Sequence, residues 1–263
     1  AQIIDWMVDE YSSITGDKTR ASFTGKSIAN GGSEGRDAAT GQGGVYVLEQ
    51  LLELNGRSDD KITIAVQGYG NVGSWFSTLA SSNPNWTIIA VSDSSGALYK
   101  EQGLDSEELE SIKNHKNSRG RVAECQVAGV KVLSNDELLA LEVDVLVLAA
   151  LGDAVTETNA DAVRAALILE LANGPVNENA HTSLESRGVN VVPDILANAG
   201  GVIVSYYEWY QNMHDETWTE SVVNQKLEQQ IKSAAEDIHA ISMSTEGATL
   251  KDAAFIKALN SLT

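Results

Sequence analysis

Cysteine is nearly absent. Cys125 stands alone in 263 residues, which excludes an internal disulfide and any cysteine-rich metal centre. A reduced, cytoplasmic setting is the expectation. Histidine is also sparse. His115, His181, His214 and His239 are scattered without H-x-x-x-H or H-E-x-x-H spacing, so no metal is expected. Long apolar runs are missing. VDVLVLAAL (143–151) and AALILEL (165–171) are the most apolar stretches. Both fall short of the ~18 residues that a membrane-spanning helix needs. Basic residues are few: 18 Lys and Arg against 37 Asp and Glu leave a net charge of −19. That excess disfavours nucleic acid and anionic membranes as partners. It suits a salt-rich cytoplasm, and equally an ordinary acidic cytosolic protein. Only three prolines occur, two of them (Pro175 and Pro193) at strand-to-loop transitions. There is no repeat and no low-complexity linker.

What remains is the composition of a globular protein, 43% hydrophobic and 21% charged. The N-terminal AQIIDWMVDEY reads as an amphipathic helix with Ile3, Ile4, Met7, Val8 and Tyr11 on one side. It has neither the basic start nor the cleavage site of a signal peptide. The expectation is a chain that begins in mid-helix, as a fragment or processed product would. Residues 15–36 read as loop, ending in NGGSEGR. Residues 40–56 read as a helix stopped by Gly56. KITIAVQ (61–67) is a buried strand, 71–82 a helix and WTIIAVSD (86–93) a second strand. Residues 104–118 are polar and helical in pattern, and the glutamates at 107–110 are taken as a solvated helix face. VKVL (130–133) is a short strand, and Ser134-Asn135-Asp136 caps the helix ELLALE. VDVLVLAA, LILELA and VNVVPD read as strands separated by the helices TNADAVRAA and NENAHTSLESRG. After Pro193 the pattern is helical over 195–213, about 219–242 and 249–261. Alternating strands and helices predict an α/β fold: a doubly wound, mostly parallel sheet with a helical C-terminal segment. One domain is expected over 1–263, with a core at about 40–200 and flanking helices at 1–39 and 195–263.

Between the first two strands lies QGYGNVG, with glycines at 68, 70 and 73. G-x-G-x-x-G alone is a weak signal. Here it follows a strand and opens a helix, the context of a dinucleotide pyrophosphate site. The first glycine permits the tight turn, the second a close approach to the pyrophosphate, and the third the packing of helix on strand. The helix N-terminus offers free N–H groups to the phosphates. Asp93 ends the next strand 20 residues after Gly73, placed to accept from the ribose hydroxyls. Its charge would repel a 2′-phosphate and favour NAD, while Ser92, Ser94 and Ser95 offer hydrogen bonds to the phosphate of NADP. A glycine turn with a capping Asp is the structural alternative.

Four stretches go beyond a generic dinucleotide fold: GGSEGRDAATGQG (31–43), QGYGNVG (67–73), ANGP (172–175) and VPDILANAGGVIVSYYEW (192–209). Together they resemble the coenzyme-binding half of glutamate dehydrogenases, within the Glu/Leu/Phe/Val dehydrogenase superfamily. The resemblance runs over essentially the whole chain. It implies cofactor contacts at Thr40, Gly68, Gly70, Asn71, Val72, Gly73, Asp93, Ser94, Ala149, Ala150, Asn173 and Asn198. Thr40 would bond the nicotinamide carboxamide or act as a helix N-cap. Asn71 would lie beside the pyrophosphate or nicotinamide ribose. Asn198 would lie near the nicotinamide or serve as a turn residue. Val202 and Ser205 match positions that receive the substrate side chain, with Ser205 on the distal carboxylate of glutamate. Alone, Ser205 would be a packing residue of an apolar helix. The neighbouring Tyr206, Tyr207, Trp209 and Tyr210 are taken as core or interface.

Two departures stand out. Asp153 replaces the Asn usual in the loop after VDVLVLAA, and Leu171 replaces the Gly usual before ANGP. Asp153 is expected to weaken cofactor affinity and Leu171 to crowd a close backbone approach, and both put full activity in question. The family's GGxKGG-like motif, with its catalytic Lys, and its catalytic Asp are not matched. Lys18 and Lys26 lie in the loop before the glycine run without that context. The resemblance therefore implies that the N-terminal substrate domain is absent and that this chain binds dinucleotide but is inactive alone. In the full enzyme the reaction would be reversible oxidative deamination of L-glutamate to 2-oxoglutarate and ammonia, in a homo-oligomer. The alternatives are the coenzyme domain of a leucine- or phenylalanine-type dehydrogenase, and a stand-alone or engineered NAD-binding module.

Overall fold

The computed structural model describes residues 1–262. Seven strands form one sheet among these residues: β1 (Ile62–Gln67), β2 (Trp86–Asp93), β3 (Gly96–Tyr99), β4 (Lys131–Leu133), β5 (Val145–Leu148), β6 (Leu167–Glu170) and β7 (Asn190–Val192). Their order is β4-β3-β2-β1-β5-β6-β7. β1, β2, β5, β6 and β7 run parallel, and β3 is antiparallel to both its neighbours. β1 and β5 are buried on both faces, which is why they read as continuous apolar runs rather than as alternation.

Helices α1 (Gln2–Thr15), α2 (Ala39–Leu54), α3 (Asn71–Ala80), α4 (Ser106–Asn117), α5 (Asn135–Leu139) and α6 (Glu178–Ser186) precede four more: α7 (Asp194–Ala197), α8 (Ala199–His214), α9 (Glu220–Ser244) and α10 (Leu250–Asn260). None is long and apolar enough to cross a membrane, among the described residues. α9 buries Val223, Leu227, Ile231, Ala235 and Ile238, a stripe at helical spacing that packs on α2. α2 and α8 cross very closely. A Cβ on Gly200 would stand 2.1 Å from the Ala39 carbonyl oxygen, so only glycine fits there.

Three elements differ from the sequence reading. β3 was not expected. It is the return arm of a tight hairpin whose turn is built on Asp93, and its four residues are too few to show a period. TNADAVRAA is not a helix but one 3-10 turn at Ala160–Ala162. Asn159 accepts from the Thr156 N–H at 2.8 Å and donates to the Ala154 carbonyl at 3.0 Å, bonds that compete with a helix. The helix read at 195–213 is broken at Asn198 into α7 and α8.

Candidate active site

β1 lies at the point where the chain order reverses, with β2 on one side and β5 on the other. Ligands of open α/β sheets bind beyond the carboxyl ends of the strands at such a point. A cleft of about 630 Å³ occupies that position.

Of the glycine loop, Val72 lines it, while Gly68, Gly70, Asn71 and Gly73 are outside its lining. Gly68 has φ +99°, and a Cβ there would meet the Ala150 nitrogen at 2.6 Å. The loop and the end of β5 therefore touch backbone to backbone. At Gly73 a Cβ would lie 1.9 Å from the Gly68 carbonyl oxygen, so the start of α3 packs directly on the turn. Gly70 is different: nothing lies within 4 Å of its would-be Cβ. That leaves an open cradle at the N-terminus of α3, whose first-turn N–H groups lack intrahelical partners. Buried Tyr69 pins the loop from behind, its hydroxyl donating to the Leu109 carbonyl at 3.0 Å. Asn71 donates to the Asp37 carbonyl at 2.9 Å, tying the loop to the entry of α2.

Thr40, Val72, Ala149, Ala150, Asn173 and Asn198 face the cleft, together with Val202 and Ser205. Thr40 is not the N-cap of α2. That position belongs to Ala38, and Thr40 sits within the first turn. The close crossing of α2 and α8 presses its hydroxyl against Gly201, where a Cβ would be 2.5 Å from Oγ1. Asn198 donates to Asn173 Oδ1 at 2.8 Å and to the Ala172 carbonyl at 3.3 Å. Ser205 is more than a packing residue: its hydroxyl accepts from Arg36 Nε at 3.1 Å. Arg36 also faces the cleft and was not singled out from the sequence. The signal that would have found it is its place as the only basic residue in GGSEGRDAATGQG.

Asp93 and Ser94 lie apart from this cleft, at the β2–β3 turn. Both Asp93 oxygens have partners. The Ser95 N–H donates to Oδ1 at 2.9 Å, joined by the Ser95 hydroxyl. Lys116 and the Val122 N–H, the latter at 3.2 Å, donate to Oδ2. Burial alone would raise this carboxyl, but Lys116, Ser95 and Val122 outweigh it and hold its pKa at about 2. Lys116 comes from the last turn of α4, a helix started by an Asp105–Glu108 capping box. The sequence showed the acid but not its cation.

The two departures are accommodated. Leu171 is buried and its Cδ2 fills the space beside Gly44, 2.6 Å from where a Cβ would stand. Asp153 has φ +54°, a left-handed conformation that Asp tolerates, and its N–H donates to the Gly174 carbonyl at 3.0 Å. No group of three or more His, Cys, Asp or Glu residues suited to a metal occurs among the described residues.

Residues 31–263 match the family model of Glutamate/Leucine/Phenylalanine/Valine dehydrogenase. The chain is 40% identical to an NADP-specific glutamate dehydrogenase of Synechocystis, over 99% of this chain and 61% of that protein. It is also 40% identical to the NAD-specific glutamate dehydrogenase A of Halobacterium salinarum, over 98% of this chain and 58% of the relative. The hetero-hexameric glutamate dehydrogenase of Thermus thermophilus, in a Leu-bound form, superposes with a TM-score of 0.87 at 32% identity. That match covers 99% of this chain and 60% of the neighbour. The chain thus spans about 60% of the length of the relatives it matches. With the motifs, the fold and these matches in agreement, the chain belongs to the Glu/Leu/Phe/Val dehydrogenase family.

Proposed function

We propose that this chain is the NAD(P)-binding part of a glutamate dehydrogenase, and that the full protein interconverts L-glutamate with 2-oxoglutarate and ammonia. The observation that carries the reading is one cleft lined by Val72, which follows the Gly68–Gly70 turn, and by Arg36 and Ser205. The open cradle at Gly70 and the free N–H groups of α3 suit a pyrophosphate. Thr40, Asn173 and Asn198 supply hydroxyl and amide groups where an amide-bearing ring would lie. When bound, the nicotinamide supplies the hydride acceptor or donor.

This chain's own residues bind and orient. Arg36 and Ser205 offer a cation and a hydroxyl 3.1 Å apart, suited to a side-chain carboxylate. That pair favours glutamate over a leucine- or phenylalanine-type substrate, for which a charged side chain in the cleft would be left unpaired. The proton-handling groups lie outside this chain, so the chain alone is expected to bind dinucleotide and not to turn over. The relatives divide between NADP-specific and NAD-specific enzymes at equal identity. With Asp93 neutralised by Lys116, repulsion of a 2′-phosphate is weakened, and we assign binding of both NAD and NADP. A cytoplasmic location and an oligomeric full protein complete the reading.

Calorimetric titration with NAD⁺ and NADP⁺ tests it. Binding of either supports the site, and binding of neither overturns it. Glutamate-dependent reduction of NAD⁺ by the purified chain would overturn the assignment of catalysis to residues beyond it.

A further inference from the structure

Glu170 is the last residue of β6, and it is 4% exposed. Its Oε2 accepts the Asp194 N–H at 2.9 Å, at the start of α7. The Val176 N–H lies near enough to this carboxylate to favour its ionised form. The chain of contacts continues: Asp194 Oδ2 accepts the Gly174 N–H at 2.8 Å. Asn198, at the end of α7, then donates to Asn173 Oδ1 and to the Ala172 carbonyl. One buried carboxylate thereby ties the segment after β6, which carries Asn173, to the segment after β7, which carries Asn198. Asn198 is also anchored by its own helix, its N–H donating to the Asp194 carbonyl at 3.0 Å, whereas Asn173 lies in a bend outside any helix or strand.

We propose that Glu170 is a positioning residue whose carboxylate holds Asn173 and Asn198 in register at the floor of the cleft, so that its protonation weakens dinucleotide binding. The inference rests on the cleft being the dinucleotide site. Glu170 makes no contact with the cleft volume and acts through the two asparagines.

The groups around it set where it titrates. Burial raises the Glu170 pKa, and the Asp194 carboxylate raises it further. The Asp194 and Val176 N–H groups lower it, as does Lys251 reaching in from α10, and the balance is a pKa of about 7. Lys251 is shared with Glu178 of α6, at 2.8 Å. Further out, His181 of α6 is paired with Glu185 at 3.1 Å, and Asp252 of α10 lies within electrostatic reach of His181 and Lys251. The sign follows from the donors. The ionised carboxylate can only accept, which suits two N–H groups. The neutral acid carries a proton on one oxygen and accepts more weakly, so the tie between the loops loosens as pH falls through neutrality.

The test is titration of the protein with NADH and NADPH between about pH 5.5 and 8.5, for the wild type, Glu170→Gln and Lys251→Ala. Wild-type affinity is expected to fall about tenfold toward the acid end, the size of one charge-assisted hydrogen bond. The same slope in NADH and NADPH separates this titration from that of a 2′-phosphate. Glu170→Gln is expected to flatten the profile near the acid limit of the wild type. Lys251→Ala removes a cation that favours ionisation, so the midpoint should move to higher pH with the alkaline affinity unchanged. A Glu170→Gln profile that keeps the wild-type slope, or a Lys251→Ala midpoint that stays put, overturns the proposal. If the Gln variant does not fold, the Lys251→Ala midpoint decides. Wild-type binding that is independent of pH sinks the role of Glu170 alone. No binding at any pH sinks the cofactor reading and this inference with it.

Discussion

Replacing Lys26 by Met should be among the most damaging single substitutions in this chain. The Lys26 and Glu208 side chains are wholly buried and pair at 2.6 Å. Lys26 Nζ also donates to the Phe23 carbonyl at 2.6 Å. Glu208, from the middle of α8, accepts the N–H groups of Gly25 at 2.9 Å and of Lys26 at 3.3 Å. Met fills a similar volume but removes the cation. An anion is then left in the interior with two backbone donors, and breaking a buried pair in this way costs about 3–5 kcal/mol. The whole stability of a domain is about 5–15 kcal/mol. Unfolding in urea, analysed by linear extrapolation, should show that loss, and the melting temperature should drop by on the order of 10 °C. Adding Glu208→Gln removes the stranded charge while keeping one acceptor for the N–H groups. The double variant should therefore recover about 2 kcal/mol or more of the loss. A loss below about 1 kcal/mol for Lys26→Met, or strictly additive effects in the double variant, would refute the reasoning. The pair also fixes the chain that leads to Arg36, so binding at the Arg36–Ser205 end of the cleft should weaken with it.

Glu170 makes a separate prediction about stability. Its folded pKa of about 7 lies above the ordinary 4.5, so the folded state holds the proton longer than the unfolded one. Wild-type stability should fall by about 3 kcal/mol relative to Glu170→Gln as pH rises from about 4.5 through 7, and parallel urea midpoints across that range would refute it. Gly70→Val should leave the urea midpoint nearly unchanged, because the space is open, while weakening dinucleotide binding strongly. Gly73→Ala should behave oppositely and destabilise the fold itself, since its Cβ would overlap a backbone oxygen. Lys116→Ala should weaken NADP⁺ more than NAD⁺ in calorimetry; equal losses would separate Lys116 from the 2′ position.

The parts legible in the sequence share a property: their signals are local. β1 and β2 show as apolar β-branched runs, and the glycine turn shows as a spacing between them. The helix start at Ser134 follows from a capping residue whose partner, Glu137, lies three positions on. What escaped is long-range. Arg36 meets Ser205 across 169 positions, and Lys26 meets Glu208 across 182. Neither pairing has a periodicity, and Lys26 reads from the sequence as a loop lysine of no consequence. β3 escaped for a different reason: four residues closing a hairpin carry too little pattern to separate from the turn itself. Likewise Gly44 and Leu171 are intelligible only together. The unexpected leucine before ANGP finds room for its side chain beside a glycine of the facing helix, and it lines the cleft.

Charge ties the remaining pieces together. A chain with a net charge of −19 repels an anionic dinucleotide at a distance. That repulsion decays over about 8 Å at physiological ionic strength, so what matters once the ligand arrives is local. There the balance reverses. The N-terminus of α3 points its dipole at the open cradle beside Gly70, and Arg36 stands at the far end of the cleft. The acid at the β2–β3 turn, Asp93, lies apart from the cleft and is paired with Lys116. Glu170, a carboxylate close to the floor, is buried and held at the edge of protonation. Net charge and site charge are therefore independent properties of this fold: the first belongs to the solvated helix faces, and the second to a few residues placed by the sheet's reversal point.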